Sequence, residues 1–154
     1  MPIRCEIVSQ DRTVFEGDVD IVVIPGMDGE MGILPNHAPL LSTIRLGVIK
    51  VRHGGVEEAF TITGGLVEVQ PQIVTILADA AENVEEIDVA RAEEARQDAQ
   101  RRLEEGPPRG TEAYLAAEAA LRRSTLRVEM ARRLGSGDRR RPDFPSAGDG
   151  QNAG

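Results

Sequence analysis

The chain of 154 residues contains one cysteine, two histidines and a single lysine. Cys5 has no partner for an internal disulfide, and its alternating setting (Ile3, Cys5, Ile7) marks it as a small core or edge residue rather than a nucleophile. Two histidines and one cysteine are too few for a metal site. The lone lysine, Lys50, falls in a strand-like run, so there is no Gly-x-x-x-x-Gly-Lys-Ser/Thr phosphate loop. Gly-x-Ser-x-Gly, His-Glu-x-x-His and Cys-x-x-Cys are also missing. No apolar run approaches the roughly 18 residues needed to cross a bilayer, and no charged segment leads into an apolar one at the N-terminus. The expectation is a soluble, unexported chain that reaches a membrane only through another protein.

The formal net charge of −8 is unevenly spread. Residues 1–86 carry 14 acidic against 5 basic side chains, residues 87–134 carry 9 against 10, and the tail balances 3 against 3. An acidic N-terminal part does not seek nucleic acid. Residues 122–133 hold Arg122, Arg123, Arg127, Arg132 and Arg133 against Glu129 alone. That cationic end either meets an acidic partner or is a solvated helix face with favourable charges near its C-terminus.

Near Glu85 the sequence changes its repeat. Upstream, apolar residues alternate or form short β-branched runs near 3–8, 13–16, 19–24, 31–34, 40–44, 47–52, 56–62, 65–69 and 73–78. Gly, Pro, Asn and Asp punctuate them, as in an antiparallel sandwich or barrel. The clearest hairpin runs from Gly47 through His53-Gly54-Gly55 to Ile62, which leaves His53 at a loop tip. From Ile87 the period is helical, with Asp88 as N-cap and Ala92, Ala95, Ala99 and Leu103 on one stripe. Gly106-Pro107-Pro108 stops this helix. Thr111 caps a second, whose stripe is Tyr114, Ala117, Leu121, Ser124, Val128 and Ala131. A short turn makes the pair an antiparallel helical hairpin. The organisation expected is a β-sandwich domain over 1–86, a two-helix hairpin over 87–134 and a disordered tail over 135–154.

Asp28-Gly29-Glu30 reads as a solvated turn rather than an acid/base pair. His37, in Pro35-Asn36-His37-Ala38-Pro39, reads as a loop anchor or a contact residue. The hairpin offers more. With its turn near residue 108, Arg91 comes level with residue 125, and Arg123 and Arg127 bracket it at i,i+4 spacing. Three guanidiniums at one height near Asp88 either form an anion site, since Arg forks match phosphate oxygens, or fan outward to pair with Glu93, Glu94 or Glu129.

Four segments in order, Gly29-Glu-Met-Gly-Ile-Leu-Pro-Asn-His-Ala-Pro-Leu40, Thr63-Gly-Gly-Leu-Val-Glu-Val69, Val74-Thr-Ile-Leu-Ala-Asp79 and Glu86-Ile-Asp-Val-Ala-Arg-Ala92, resemble the bacterial-type epsilon subunit of F-type ATP synthase. The likeness covers roughly residues 1–134. It implies a non-catalytic central-stalk subunit of the proton-translocating synthase: a ten-stranded sandwich bound to gamma and to the membrane c-ring, peripheral on the cytoplasmic side of the cell membrane. Glu30, Met31, His37, Ala38, Pro39 and Leu40 would face the rotor. The hairpin would lie folded on the sandwich or extend to the alpha/beta catalytic head and inhibit ATP hydrolysis, with Arg122, Arg123, Arg127, Arg132 and Arg133 meeting acidic residues there.

No cofactor is required under this resemblance, but some members bind ATP in the folded form. Ile87, Asp88, Arg91 and Ala92 match their motif, and Arg123 and Arg127 match the arginines of their second helix. Where such members tend to have a further arginine this chain has Asp98, a carboxylate that repels polyphosphate. The alternative function is a free-standing ATP-sensing adaptor built on Arg91, Arg123 and Arg127. On physical grounds a seam made mostly of Ala is weakly held, because an Ala methyl contributes on the order of 0.8 kcal/mol where a buried Leu gives about 1.5–3 kcal/mol. Such a hairpin should depend on docking to the sandwich or to a partner.

Overall fold

The computed structural model describes residues 1–135, so the disorder expected of the tail falls on residues outside the described ones, Gly135 apart. Ten strands precede two helices: β1 (Ile3–Val8), β2 (Thr13–Val19), β3 (Ile21–Gly26), β4 (Gly29–Ile33), β5 (Leu40–Ile44), β6 (Gly47–His53), β7 (Val56–Ile62), β8 (Gly65–Val69), β9 (Ile73–Ala78), β10 (Ala81–Asn83), then α1 (Val89–Glu105) and α2 (Glu112–Leu134). The strands form a sandwich in the order β10-β7-β6-β3-β5-β8-β9-β1-β2, with β4 added to β3. The two ends of that order, β10 and β2, touch. The sheet therefore nearly closes on itself, which leaves little exposed edge.

Strand alternation builds one interior. Ile3, Cys5 and Ile7 of β1, Ile49 and Val51 of β6, Val67 and Val69 of β8, and Val74 and Ile76 of β9 all point into the same apolar core. Each Ile and Val contributes about 1.5–3 kcal/mol by burial. β7 breaks the alternation, with Ala59, Phe60, Thr61 and Ile62 all buried. The reason is that its outer side is covered as well: Ala59 packs with Val84, Ile87, Ala92, Val128 and Ala131, where the hairpin lies on the sandwich.

Two features depart from the sequence reading. The residue pattern marks nine strands where the resemblance implies ten; the tenth, β10, carries no propensity in Ala-Glu-Asn and exists by pairing with Phe60–Ile62 of β7. β1 and β9 pair in parallel while the remaining ladders are antiparallel. A long intervening chain permits that pairing.

Helix boundaries follow the capping chemistry. Asp88 accepts a hydrogen bond from the Arg91 amide at 3.2 Å, and Thr111 accepts one from the Tyr114 amide at 3.3 Å. The helix starts at Val89, since Ile87 is extended and buried behind a 3-10 turn at Val84–Glu86. Gly106 ends α1 in the left-handed conformation, φ 68°. Of the stripe expected on α1, Ala92 and Ala99 are buried, Leu103 is half-buried and Ala95 faces an open cavity.

Burial, with the Glu6 charge second, pushes the Cys5 thiol from 9.0 up to about 12. The neutral thiol is thus favoured in the folded state, and its contribution to stability is intact below about pH 9 and is lost as pH rises from there toward about 12. Native protein at pH 8 should leave a thiol reagent unreacted, whereas denatured protein should consume one equivalent. Labelling of the native chain at the free-thiol rate would contradict this burial.

Candidate functional site

The 3-10 turn places Val84 and Ile87 as plugs between sandwich and hairpin, and Ala92, Val128 and Ala131 close over them. Beside this apolar contact the Arg127 guanidinium of α2 forks onto Glu82 of β10, Nε to Oε2 at 2.9 Å and Nη2 to Oε1 at 3.3 Å. Arg12 of the β1–β2 turn reaches Glu86 at 3.6 Å. The hairpin is therefore held to the sandwich by an apolar seam and a two-point ion pair.

Above the ion pair the two parts do not close, leaving a cavity of 420 Å³. Leu46, Ile62, Ala95 and Leu126 give it apolar walls, and Arg12, Arg123, Arg127 and Glu82 its charge. Ser124 also lines it, but its hydroxyl donates back to the Ala120 carbonyl at 2.7 Å.

The arginines expected at one height are only partly assembled. Arg123 and Arg127 reach the same cavity, whereas Arg91 is exposed and outside its lining, one helical turn before Ala95. The expected alternative partners, Glu93, Glu94 and Glu129, do not take Arg127 either; its partner is Glu82. Glu93 pairs instead with Arg96, whose guanidinium holds its carboxyl below the usual range, and with Arg132 at 3.8 Å. Within the expected nucleotide motif, Ile87 and Ala92 are packing residues and Asp88 is the helix cap. Asp98 is engaged by Arg102 at 2.8 Å. On α2, Arg122 sits 3.6 Å from Glu118, and Arg132 and Arg133 are exposed.

The expected contact loop lies on another face. Glu30 and Met31 belong to β4, Glu30 exposed and Met31 packed against the core; Ala38 and Pro39 are exposed; Leu40 opens β5. Asn36 takes φ 62° and donates its amide to the Pro71 carbonyl at 2.9 Å, which pins the loop to the β8–β9 turn. His37 Nδ1 is 2.8 Å from the Ala38 carbonyl oxygen, so the ring is held locally. Met27, Leu34 and Leu41 stand more than half exposed beside these residues. An apolar rim of that kind suits a protein contact.

One residue at this site escaped the sequence reading: Glu82 lies in a strand without propensity, and no local signal ties it to α2.

Residues 2–84 match the family model for the ATP synthase delta/epsilon chain β-sandwich domain, and residues 85–132 match that for its long α-helix domain. The chain belongs to the ATP synthase epsilon family. The epsilon chain of Dehalococcoides mccartyi strain CBDB1 is 44% identical over 131 residues, covering 84% of this chain and 91% of that one. The epsilon chain of Herpetosiphon aurantiacus is 44% identical over 132 residues, covering 86% and 96%. The fold of this epsilon subunit is also that of a chain in the Euglena gracilis mitochondrial ATP synthase structure (OSCP/F1/c-ring, rotational state 1), at TM-score 0.68, 24% identity and 81% and 78% coverage. Among the described residues of this epsilon subunit, no helix is long and apolar enough to cross a membrane, and no cluster of His, Cys, Asp or Glu could hold a metal ion.

Proposed function

We propose that this epsilon subunit is a non-catalytic coupling and regulatory element of the synthase. Its sandwich grips the gamma subunit and meets the c-ring through the loop carrying Glu30, Met31, His37, Ala38, Pro39 and Leu40. Its hairpin leaves the sandwich to engage the alpha/beta head and block ATP hydrolysis, with Arg122, Arg123, Arg127, Arg132 and Arg133 supplying the cationic contact. The assembly sits peripherally on the cytoplasmic side of the cell membrane, and the subunit binds no nucleic acid.

The observation that supports this reading is the way the hairpin is docked. Its contact with the sandwich is an apolar cluster of Ala59, Val84, Ile87, Ala92, Val128 and Ala131, edged by Val48, Val89, Met130 and Leu134, plus the Arg127–Glu82 pair, and beside it the two parts leave a cavity open. Such a contact has few large side chains to set against the entropy of ordering the hairpin, so differential contacts with a partner can shift it. Adding the full chain to the isolated catalytic head should lower its ATP hydrolysis, and residues 1–86 alone should not. Equal rates with the two forms would remove the inhibitory role and leave the coupling role standing.

A second reading has one observation in its favour, the cavity bordered by Arg123 and Arg127: the hairpin also senses ATP in its folded position. Calorimetry with ATP on the full chain tests it, and binding insensitive to Arg127→Ala would refute it.

A further inference from the structure

The hairpin covers β7 and stops there. α2 runs back along that strand, from Arg123 near Thr63 to Val128 and Ala131 over Ala59, and Leu134 packs at the edge of the same cluster. From Ala59 the sheet continues outward in one row: Ala59 pairs with Lys50 of β6, Lys50 with Val23 of β3, and Val23 with Gly32 of β4. Paired residues share a face, so Lys50, Val23 and Gly32 lie on the same outer side as Ala59, and so does Glu30, two residues from Gly32. Among the described residues nothing covers this side: Glu30 and Gly32 are exposed, and Ile21, Val23 and Lys50 are half-buried. Ile21 Cδ1 lies 3.6 Å from where a Cβ on Gly32 would stand, so Ile21 and Val23 form an apolar floor. Lys50 and Glu30 have no ion pair or side-chain hydrogen bond among the described residues, whereas Glu57 is held by Arg52 at 2.6 Å and Glu58 by His53 at 2.9 Å. Strand spacing and rise put Lys50 and Glu30 roughly 12 Å apart, too far to neutralise each other.

The chain carries a segment with the opposite charges in the matching order. Gly135 is followed by Ser136-Gly137-Asp138-Arg139-Arg140-Arg141-Pro142. The family match ends at residue 132, so this segment lies outside what the family shares. From β7 to β4 is three strand spacings, about 14 Å. Extended residues advance roughly 3.3 Å each, which gives Asp138 a reach of roughly 10 Å from Gly135 and Arg139–Arg141 one of roughly 13–20 Å. The acid therefore arrives near Lys50 and the bases near Glu30. Arg141 precedes a proline, which biases its backbone to the extended form. Lack of periodicity denies the tail a core of its own, but an extended segment can still lie on a surface that is already folded.

We propose that residues 136–142 dock in extended form across the outer face of β6, β3 and β4, with the Asp138 carboxylate on Lys50 and the guanidiniums of Arg139–Arg141 on Glu30. Each pair is weak at a wet surface, but the tether to α2 keeps the segment at a high effective concentration. Because the segment continues from α2, its docking straps the end of the hairpin to the sandwich. The docking stands without the inhibitory reading; only its effect on hairpin release rests on that reading.

Lys50 is the only side-chain amine, so its acylation by an N-hydroxysuccinimide ester, read from the mass of its peptide, reports on this face alone. Ending the chain at Gly135 should speed labelling about two- to fivefold, the range an exposed ion pair supports. Asp138→Asn should do the same, Arg109→Ala at the hairpin turn should not, and 1 M sodium chloride should erase the difference between full and shortened chains. A water-soluble carbodiimide should join Lys50 to Asp138 within one chain. Equal labelling with and without the tail overturns the proposal, as does coupling of Lys50 only to carboxylates of residues 1–135. Protection that grows with protein concentration assigns the face to the tail of a second copy and overturns docking within one chain. Faster amide exchange over residues 128–134 in the shortened chain supports the strap; unchanged exchange with the labelling difference intact overturns the strap and leaves the docking.

Discussion

Replacing Gly65 with alanine should cost the sandwich about 3 kcal/mol or more, the range of backbone strain compounded with a steric clash in a core ladder. Gly65 opens β8 at φ 156° and is paired on both sides, with Ile44 of β5 and Ala78 of β9. A Cβ there would sit 2.2 Å from the Leu77 carbonyl oxygen and 3.0 Å from the Ala78 Cα. Both obstacles are backbone atoms of a central strand, so no side chain can swing aside. Relief requires β8 and β9 to part, and a domain of this size has only roughly 5–10 kcal/mol of net stability to lose. Gly55 provides the control: at φ 79° with nothing near its Cβ position, its replacement by alanine meets only the left-handed backbone penalty, about 1–2 kcal/mol. Denaturant midpoints of the two variants should differ in that order, and a Gly65→Ala protein as stable as Gly55→Ala would refute the clash.

Introducing aspartate at Ala92 should release the hairpin while sparing the sandwich. Ala92 is fully buried among Ile87, Val128 and Ala131, and a carboxylate there has neither room nor a hydrogen-bond partner. The least costly response is for α1 and α2 to leave the surface together. Amide exchange across 89–134 should then quicken at least a hundredfold while β1, β8 and β9 keep their protection. Arg127→Ala should do far less, about 1 kcal/mol, because Arg127 and Glu82 keep 32% and 29% of their side-chain surface in water and the pair is screened. If Arg127→Ala releases the hairpin and Ala92→Asp does not, the ion pair rather than the seam holds the two parts. Under the inhibitory reading Ala92→Asp should also inhibit the catalytic head more strongly than the natural chain.

The fold was legible where side chains carry period. Ile3, Cys5 and Ile7, or Val67 and Val69, announce their strands by alternation, and Asp88, Gly106 and Thr111 mark helix ends by chemistry that acts within a few residues. β10 was not legible, because Ala81–Asn83 is a strand only by virtue of Phe60–Ile62 beside it. The parallel pairing of β1 with β9 was hidden for the same reason: a partner some seventy residues away leaves no local mark. At the candidate site the spacing along α2 put Arg123 and Arg127 on one face, as found, while the hairpin register added Arg91, which the structure leaves exposed and outside the cavity. The partner that Arg127 takes comes from the sandwich, and arithmetic within the hairpin could not reach Glu82.

Only residues 84–88 separate the end of β10 from the start of α1. Stretched fully they span roughly 18 Å, and Val84 and Ile87 would first have to leave the interior. The first turn of α1 can therefore never stray far from the sheet edge, whereas the tip at Gly106–Gly110 lies some 26 Å further along a 17-residue helix. Whatever the arm reaches, it reaches by swinging about a pivot on a short leash, so its accessible targets lie on an arc centred on Asn83 and not throughout the surrounding volume.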